Sequence, residues 1–118
     1  MFSKVILMYN FSPTYDHTLA IALDYDETFT ANKNLWTLFV HSAKALNCNV
    51  TFVTYRHQDG YNDDILADAR ALGIPVIYSN GKPKSSVFKP DVWIDDKPIT
   101  IPSYQAMNDM LDNCTELK

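Results

Sequence analysis

A chain of 118 residues, 47% of them hydrophobic and 13% aromatic, carries enough apolar surface for one packed domain, and a charged fraction of 20% argues against bulk disorder. A net charge of −4 and a pI of about 5.1 exclude the basic footprint of a protein that holds nucleic acid electrostatically, although a nucleic acid met briefly as a substrate stays open. No apolar stretch reaches the ~20 residues of a membrane span, and two distant cysteines, Cys48 and Cys114, form neither a zinc ligand set nor a disulfide framework.

In chain order, VILMY (5–9) is a short apolar run with strand character, closed by Pro13. The segment MFSKVILMYNFSPTYD has one lysine and no small-residue cleavage site, so it does not read as a signal peptide, and a soluble, cytoplasmic protein is expected. TLAIALDY (18–25) reads as a buried strand bounded by polar residues. In ANKNLWTLFVHSAKAL (31–46), Leu35, Trp36, Phe39, Val40, Ala43 and Leu46 recur at helical spacing, with Asn32 or Asn34 as N-cap. NVTFVTY (49–55) is β-branched and aromatic, hence a strand. DGYNDDILADARAL (59–72) predicts a helix with Ile65, Leu66, Ala69 and Leu72 on one face, Asp63 and Asp64 in its first turn, and Gly73 as its stop. IPVIYS (74–79) and DVWIDD (91–96) are further strands, separated by a turn, GKPKSSVF, with room for one helical turn. Pro102 fits the start of a last helix carrying Tyr104, Met107, Met110 and Leu111.

Strands and helices thus alternate. The expected fold is α/β, a three-layer Rossmann-like parallel sheet with helices on both faces, in a single domain over 1–118 whose residues 1–17 are an extension of unknown role. In such sheets ligands sit beyond the carboxyl ends of the strands, at the topological switch point.

Polar residues gather at those ends. The first strand ends in Asp24 and Asp26, the second in Thr54 followed by Arg56 and His57, the third in Ser79 and Asn80 followed by Lys82 and Lys84, the fourth in Asp95 and Asp96. Asp24, Asp26, Asp95 and Asp96 cannot all stay ionised in one crevice without a counter-charge. A hard divalent cation such as Mg2+, which takes oxygen ligands, would supply it beside one lysine. A carboxylate nucleophile, a hydroxyl, a lysine and Mg2+ suit phosphoryl transfer, where catalysis is mainly positioning and charge stabilisation. Tyr55 and Tyr61 lie near these ends and are read as ordinary surface aromatics.

Asp24-Tyr25-Asp26-Glu27-Thr28 resembles the DxDxT signature of the haloacid dehalogenase (HAD) superfamily of phosphohydrolases. Thr54 resembles its second motif, Lys84 or Lys82 its third, and Asp95-Asp96 its acidic fourth, all in order over residues 19–96. The resemblance implies Asp24 as nucleophile and metal ligand, and Asp26 as acid and base that also ligates the metal through its backbone carbonyl. It implies Thr54 as a phosphoryl hydrogen-bonding group and Lys84 as the lysine that neutralises nucleophile and phosphate. Asp96 would ligate the metal, with Asp95 orienting the lysine or a metal-bound water. Thr28, Thr54, Arg56 and Lys82 are the candidate substrate contacts, and Lys89 is a third candidate for the active-site lysine. The family often carries Gly where this chain has Glu27, which is similar to the DxDET form of capless protein phosphatases.

The spans from Thr28 to Thr54 and from Thr54 to Lys84 are consumed by core elements, so no cap domain fits. The resemblance is therefore to small capless hydrolases encoded by phages and bacteria. The expected function is a Mg2+-dependent phosphomonoesterase acting through an aspartyl-phosphate. An open site admits a nucleotide, a nucleic-acid end or a phosphoprotein, or is covered by a second subunit. The alternatives are a non-catalytic HAD-like binding protein and a receiver-like phospho-signalling module. A receiver needs an aspartate where this chain has Thr54.

Overall fold

The structure is a computed structural model and describes residues 18–102. The expected strand at 5–9, the extension 1–17, Cys114 and nearly all of the helix expected from Pro102 lie outside the described residues.

Four strands and two α-helices alternate: β1 (Ala20–Leu23), α1 (Lys33–Ala45), β2 (Asn49–Thr54), α2 (Asp63–Leu72), β3 (Val76–Tyr78) and β4 (Val92–Ile94). Single 3-10 turns stand at Lys84–Ser86 and Pro98–Thr100. All strand pairs are parallel, in the order β3-β2-β1-β4. The chain builds outward from β1 to β3 and then crosses back to lay β4 on the other side of β1. The switch point therefore falls between β1 and β4. Ile21 pairs with Val50 and with Val92, and Leu23 with Phe52 and with Ile94.

Helix ends follow local chemistry. The Asn32 side chain caps α1, accepting from the Leu35 N–H at 3.1 Å. α2 stops at Gly73, whose φ of +69° is the left-handed conformation glycine tolerates. Gly73 and Ile74 donate back to the carbonyls of Arg70 and Ala69, satisfying the last turn.

Ile21, Leu23, Val50 and Phe52 meet Val40 and Ala43 of α1 and Ile65, Ala69 and Leu72 of α2 in one core. Leu35, Leu46 and Leu66, expected on the inner faces, are exposed; the inward stripe of α1 is Trp36, Phe39, Val40 and Ala43, narrower than the apolar pattern. Lys44 donates to the carbonyls of Leu72 and Gly73, and Lys33 pairs with Asp68, so α1 and α2 lie side by side on one face. The other pleat, with Ala22, Thr51 and Val53, is buried too, as a parallel sheet requires. Among the described residues that second face carries no α-helix, so helices on both faces are seen only in part. No described helix is long and apolar enough to cross a membrane. No inserted domain separates the described strands.

Candidate active site

The carboxyl end of β1 places the first side chain. Asp24 still donates its backbone N–H to the Ile94 carbonyl at 2.9 Å, so its carboxyl group is fixed at the β1–β4 switch point, and the residue is buried. The chain then makes one wide turn over Tyr25–Phe29, closed by Phe29 N–H to the Asp24 carbonyl and Thr30 N–H to the Tyr25 carbonyl. Tyr25 and Phe29 are buried and stack on each other while packing edge-on against Phe52. That anchoring turns Thr28 back toward Asp24 and leaves Asp26 and Glu27 facing solvent.

The lysine comes from the β3–β4 crossover. Pro83 leads into the turn at Lys84–Ser86, and Lys84 is 2% exposed. Its Nζ donates to Asp24 Oδ1 at 2.8 Å and to Asp95 Oδ2 at 2.5 Å. The other Asp95 oxygen accepts from the Lys97 N–H at 2.9 Å. Of the three candidate lysines, Lys82 is exposed, and Lys89 donates to the Ser85 carbonyl.

Thr28 ties the two sides together. Its hydroxyl lies 2.9 Å from Asp24 Oδ2 and 3.2 Å from Asp96 Oδ1, so one proton serves both, while it accepts from the Asp96 N–H at 3.1 Å. The hydroxyl expected to touch substrate is thus spent on holding two carboxylates in place.

Asp24, Asp95 and Asp96 each bring a carboxylate oxygen to within 4.8 Å of the others. Three carboxylates face the one buried ammonium of Lys84, with the exposed Lys97 acting on Asp96 from the rim, so negative charge is in excess. Burial pushes the Asp24 carboxyl up to about 6, against the pull of Lys84 and with Asp96 adding to the rise. Asp96 moves the other way, held below the usual carboxylate range chiefly by its hydrogen bond with Asp24 and also by Thr28. The opposite shifts mark Asp24 and Asp96 as an interacting pair of acids. Such an all-oxygen cluster could hold a hard divalent cation.

Asp26 is not part of that cluster. Its carboxylate is half-exposed and gripped by Arg56, Nε to Oδ2 at 2.9 Å and an η nitrogen to Oδ1 at 2.7 Å. Arg56 also forks onto Asp64, at 2.7 and 2.9 Å, and donates to the Tyr61 carbonyl at 3.3 Å. Those contacts use all five guanidinium N–H groups, so Arg56 has no donor left for a substrate phosphate in this arrangement. The guanidinium holds the Asp64 carboxyl down to about 2. In the sequence Asp64 stands out only as a complement to the helix dipole; nothing in its spacing from Arg56 marks the pairing.

Thr54 is buried at the end of β2, its hydroxyl accepting from the Arg56 backbone N–H at 3.2 Å. The crevice outside the strand ends, about 320 Å³, is lined by Asp24, Asp26, Glu27, Lys84, Asp95 and Asp96 together with Tyr55, Lys97 and Thr100; Thr54, Arg56 and Lys82 do not line it. The exposed ring of Tyr55, read as an ordinary surface aromatic, therefore borders the site. No family model matches this chain, and no curated protein or solved structure matches it either.

Proposed function

We propose that this protein is a Mg2+-dependent phosphohydrolase of HAD type, with a capless core, acting through an aspartyl-phosphate on Asp24. One observation carries the reading: a buried aspartate, a buried lysine, a bridging threonine and two further aspartates, drawn from three separate segments, converge at the sheet's switch point. The excess of negative charge and the purely oxygen donor set fit a hard divalent cation. Asp24 and Asp96 would hold it, with the Asp26 backbone carbonyl as the resemblance implies. Asp95, whose two oxygens are taken by Lys84 and the Lys97 N–H, serves to aim the lysine. When bound, Mg2+ would neutralise phosphate charge and keep Asp24 ionised.

The residues then divide the work. An oxygen of Asp24, which keeps a lone pair beside the single hydrogen bond it accepts, attacks phosphorus as the bond to the leaving oxygen breaks, and Lys84 screens the nucleophile from the incoming phosphate's charge. Asp26, on the crevice rim, gives a proton to the leaving oxygen. It then takes a proton from water, whose oxygen attacks the phosphorus of the aspartyl-phosphate and releases inorganic phosphate and free Asp24. A crevice without an inserted cap would admit a phosphate carried on a large molecule as readily as a small ester.

The test is hydrolysis of an aryl phosphate with Mg2+ and with chelator, for the parent and for Asp24→Asn. Mg2+-dependent turnover lost in the variant supports the reading. Equal turnover in the variant, or none in the folded parent toward aryl phosphate, nucleotides and phosphopeptides alike, refutes it.

A further inference from the structure

Arg56 stands outside the crevice yet grips the carboxylate on its rim. We propose that Arg56, itself anchored by Asp64, is a positioning residue that fixes the Asp26 carboxylate for proton transfer to the leaving oxygen; this rests on the phosphohydrolase reading.

Among the described residues nothing else holds the Asp26 side chain. Its side chain is 51% exposed, and the only side-chain partner it has among the described residues is Arg56. A half-exposed aspartate with no partner samples several rotamers, and a proton donor displaced by about 1 Å loses much of its effect. The guanidinium fork removes that freedom, because two parallel N–H donors fix the plane of the carboxylate as well as its position.

The fork is itself fixed on every side. Asp64, in the first turn of α2, takes two of its N–H groups, and the Tyr61 carbonyl takes a third. The buried Tyr25 ring lies beneath the guanidinium, 5.3 Å from ring centre to Cζ. The Tyr25 hydroxyl in turn donates to Asp68 at 2.5 Å. Tyr25 also sits between Asp24 and Asp26 in sequence, so one residue sets both the nucleophile's turn and the arginine's floor.

The grip does not block the carboxylate. Asp26 offers about four lone-pair sites and Arg56 takes two. One of the remaining sites carries the proton that Asp26 donates to the leaving oxygen and, once emptied, accepts a proton from water in the crevice that Asp26 lines.

Proton donation matters little to a good leaving group and much to a poor one. The experiment therefore compares kcat/KM, which reports formation of the aspartyl-phosphate, for dinitrophenyl phosphate and for an alkyl phosphate, with Mg2+ present. It uses the parent, Asp26→Asn, Arg56→Lys, Asp64→Asn and the double variant Asp26→Asn/Arg56→Lys. Arg56→Lys is expected to lose about 100-fold on the alkyl ester and only a few-fold on the dinitrophenyl ester. Asp64→Asn, which keeps the guanidinium but frees it, should show the same pattern in weaker form, and stands in if Arg56→Lys does not fold. The double variant should be no worse than Asp26→Asn alone. Equal losses on both esters, expressed in KM, would mean that Arg56 reaches the phosphate instead, and would overturn the proposal. Additive losses, or none, would overturn it as well. A parent inactive on both esters, and on nucleotides and phosphopeptides as well, removes the phosphohydrolase reading and this proposal together, whereas an active parent matched by Arg56→Lys removes this proposal alone.

Discussion

Lys84 Nζ lies 2.8 Å from Asp24 Oδ1, across 60 residues of sequence and with both groups nearly closed to solvent. The same nitrogen holds Asp95. One buried ammonium therefore balances two buried carboxylates, and neither acid has another cationic partner among the described residues. Such an arrangement is costly to break from one side, because the remaining charges stay buried without a partner. Lys84→Met should lower the stability of the metal-free protein by about 3 kcal/mol at neutral pH. Urea unfolding measures this, and a loss below that of an ordinary surface substitution would show that Lys84 does not balance the pair.

Burial raises the Asp24 carboxyl to about 6, which sets how stability and cation binding respond to pH. An unfolded aspartate titrates near 3.9. Between those values the folded chain holds the proton and the unfolded chain does not, so this group's contribution to stability falls as pH rises through that window and stays low above it. A divalent cation favours the ionised form and offsets the loss. Mg2+ should therefore raise the melting temperature more at pH 7.5 than at pH 4.5, and Asp24→Asn should abolish that difference. Thermal melts at the two pH values, with and without Mg2+, decide the matter; an increment independent of pH would show that cation binding does not involve Asp24.

Thr28 holds two like charges apart and in place with one hydroxyl. Thr28→Val keeps the shape and removes the hydrogen bonds. It should cost about 2 kcal/mol through the lost hydrogen bond to the buried Asp24 carboxylate, and weaken Mg2+ binding about tenfold or more through loss of orientation at Asp96. Thr28→Ser should restore most of both. Calorimetric titration of Mg2+ into the three proteins checks this, and equal affinities for Val and Thr would rule out the orienting role.

Much of this layout is legible in the sequence because it stems from periodicity and from where strands stop. The apolar run at 20–23 can only be a buried strand, and the residues next in the chain must stand at the sheet's edge. Gly73 marks the end of α2 because only a residue tolerant of φ +69° fits there. The choice among Lys82, Lys84 and Lys89 is not legible in that way. Spacing is similar for all three, and the turn after Pro83 decides which one points inward. The Arg56 clamp is less legible still. It depends on the path of residues 55–62, which has no period; Asn62, donating to the carbonyls of His57, Gln58 and Gly60, and Asn80, accepting from the Gln58 N–H, shape that loop. An alternating pattern predicts where Asp26 leaves the strand, not which cation will meet it.

Glu27 gives the last prediction. Its φ of +65° and ψ of +5° put an ordinary side chain in the left-handed region, a conformation costing about 1–2 kcal/mol for residues with a Cβ. The turn imposes it: the Glu27 N–H donates to Thr30 Oγ1 at 2.8 Å, and Tyr25 and Phe29 are locked in the core on either side. This gives a physical reason for the glycine that the resembling family often carries at the position. Glu27→Gly relieves the strain but adds freedom to the unfolded chain, which costs about 0.5–1 kcal/mol; the net change should lie between zero and about 1 kcal/mol of stabilisation. Glu27→Val, whose branched Cβ fits the left-handed region worst, should lose about 1–2 kcal/mol relative to the parent. Because Glu27 is exposed and its side chain makes no hydrogen bond among the described residues, neither change removes a contact. Urea midpoints at constant m-value give the order directly, Gly at or above Glu and Glu above Val. A valine variant as stable as the parent would mean that the turn relaxes and stores no strain.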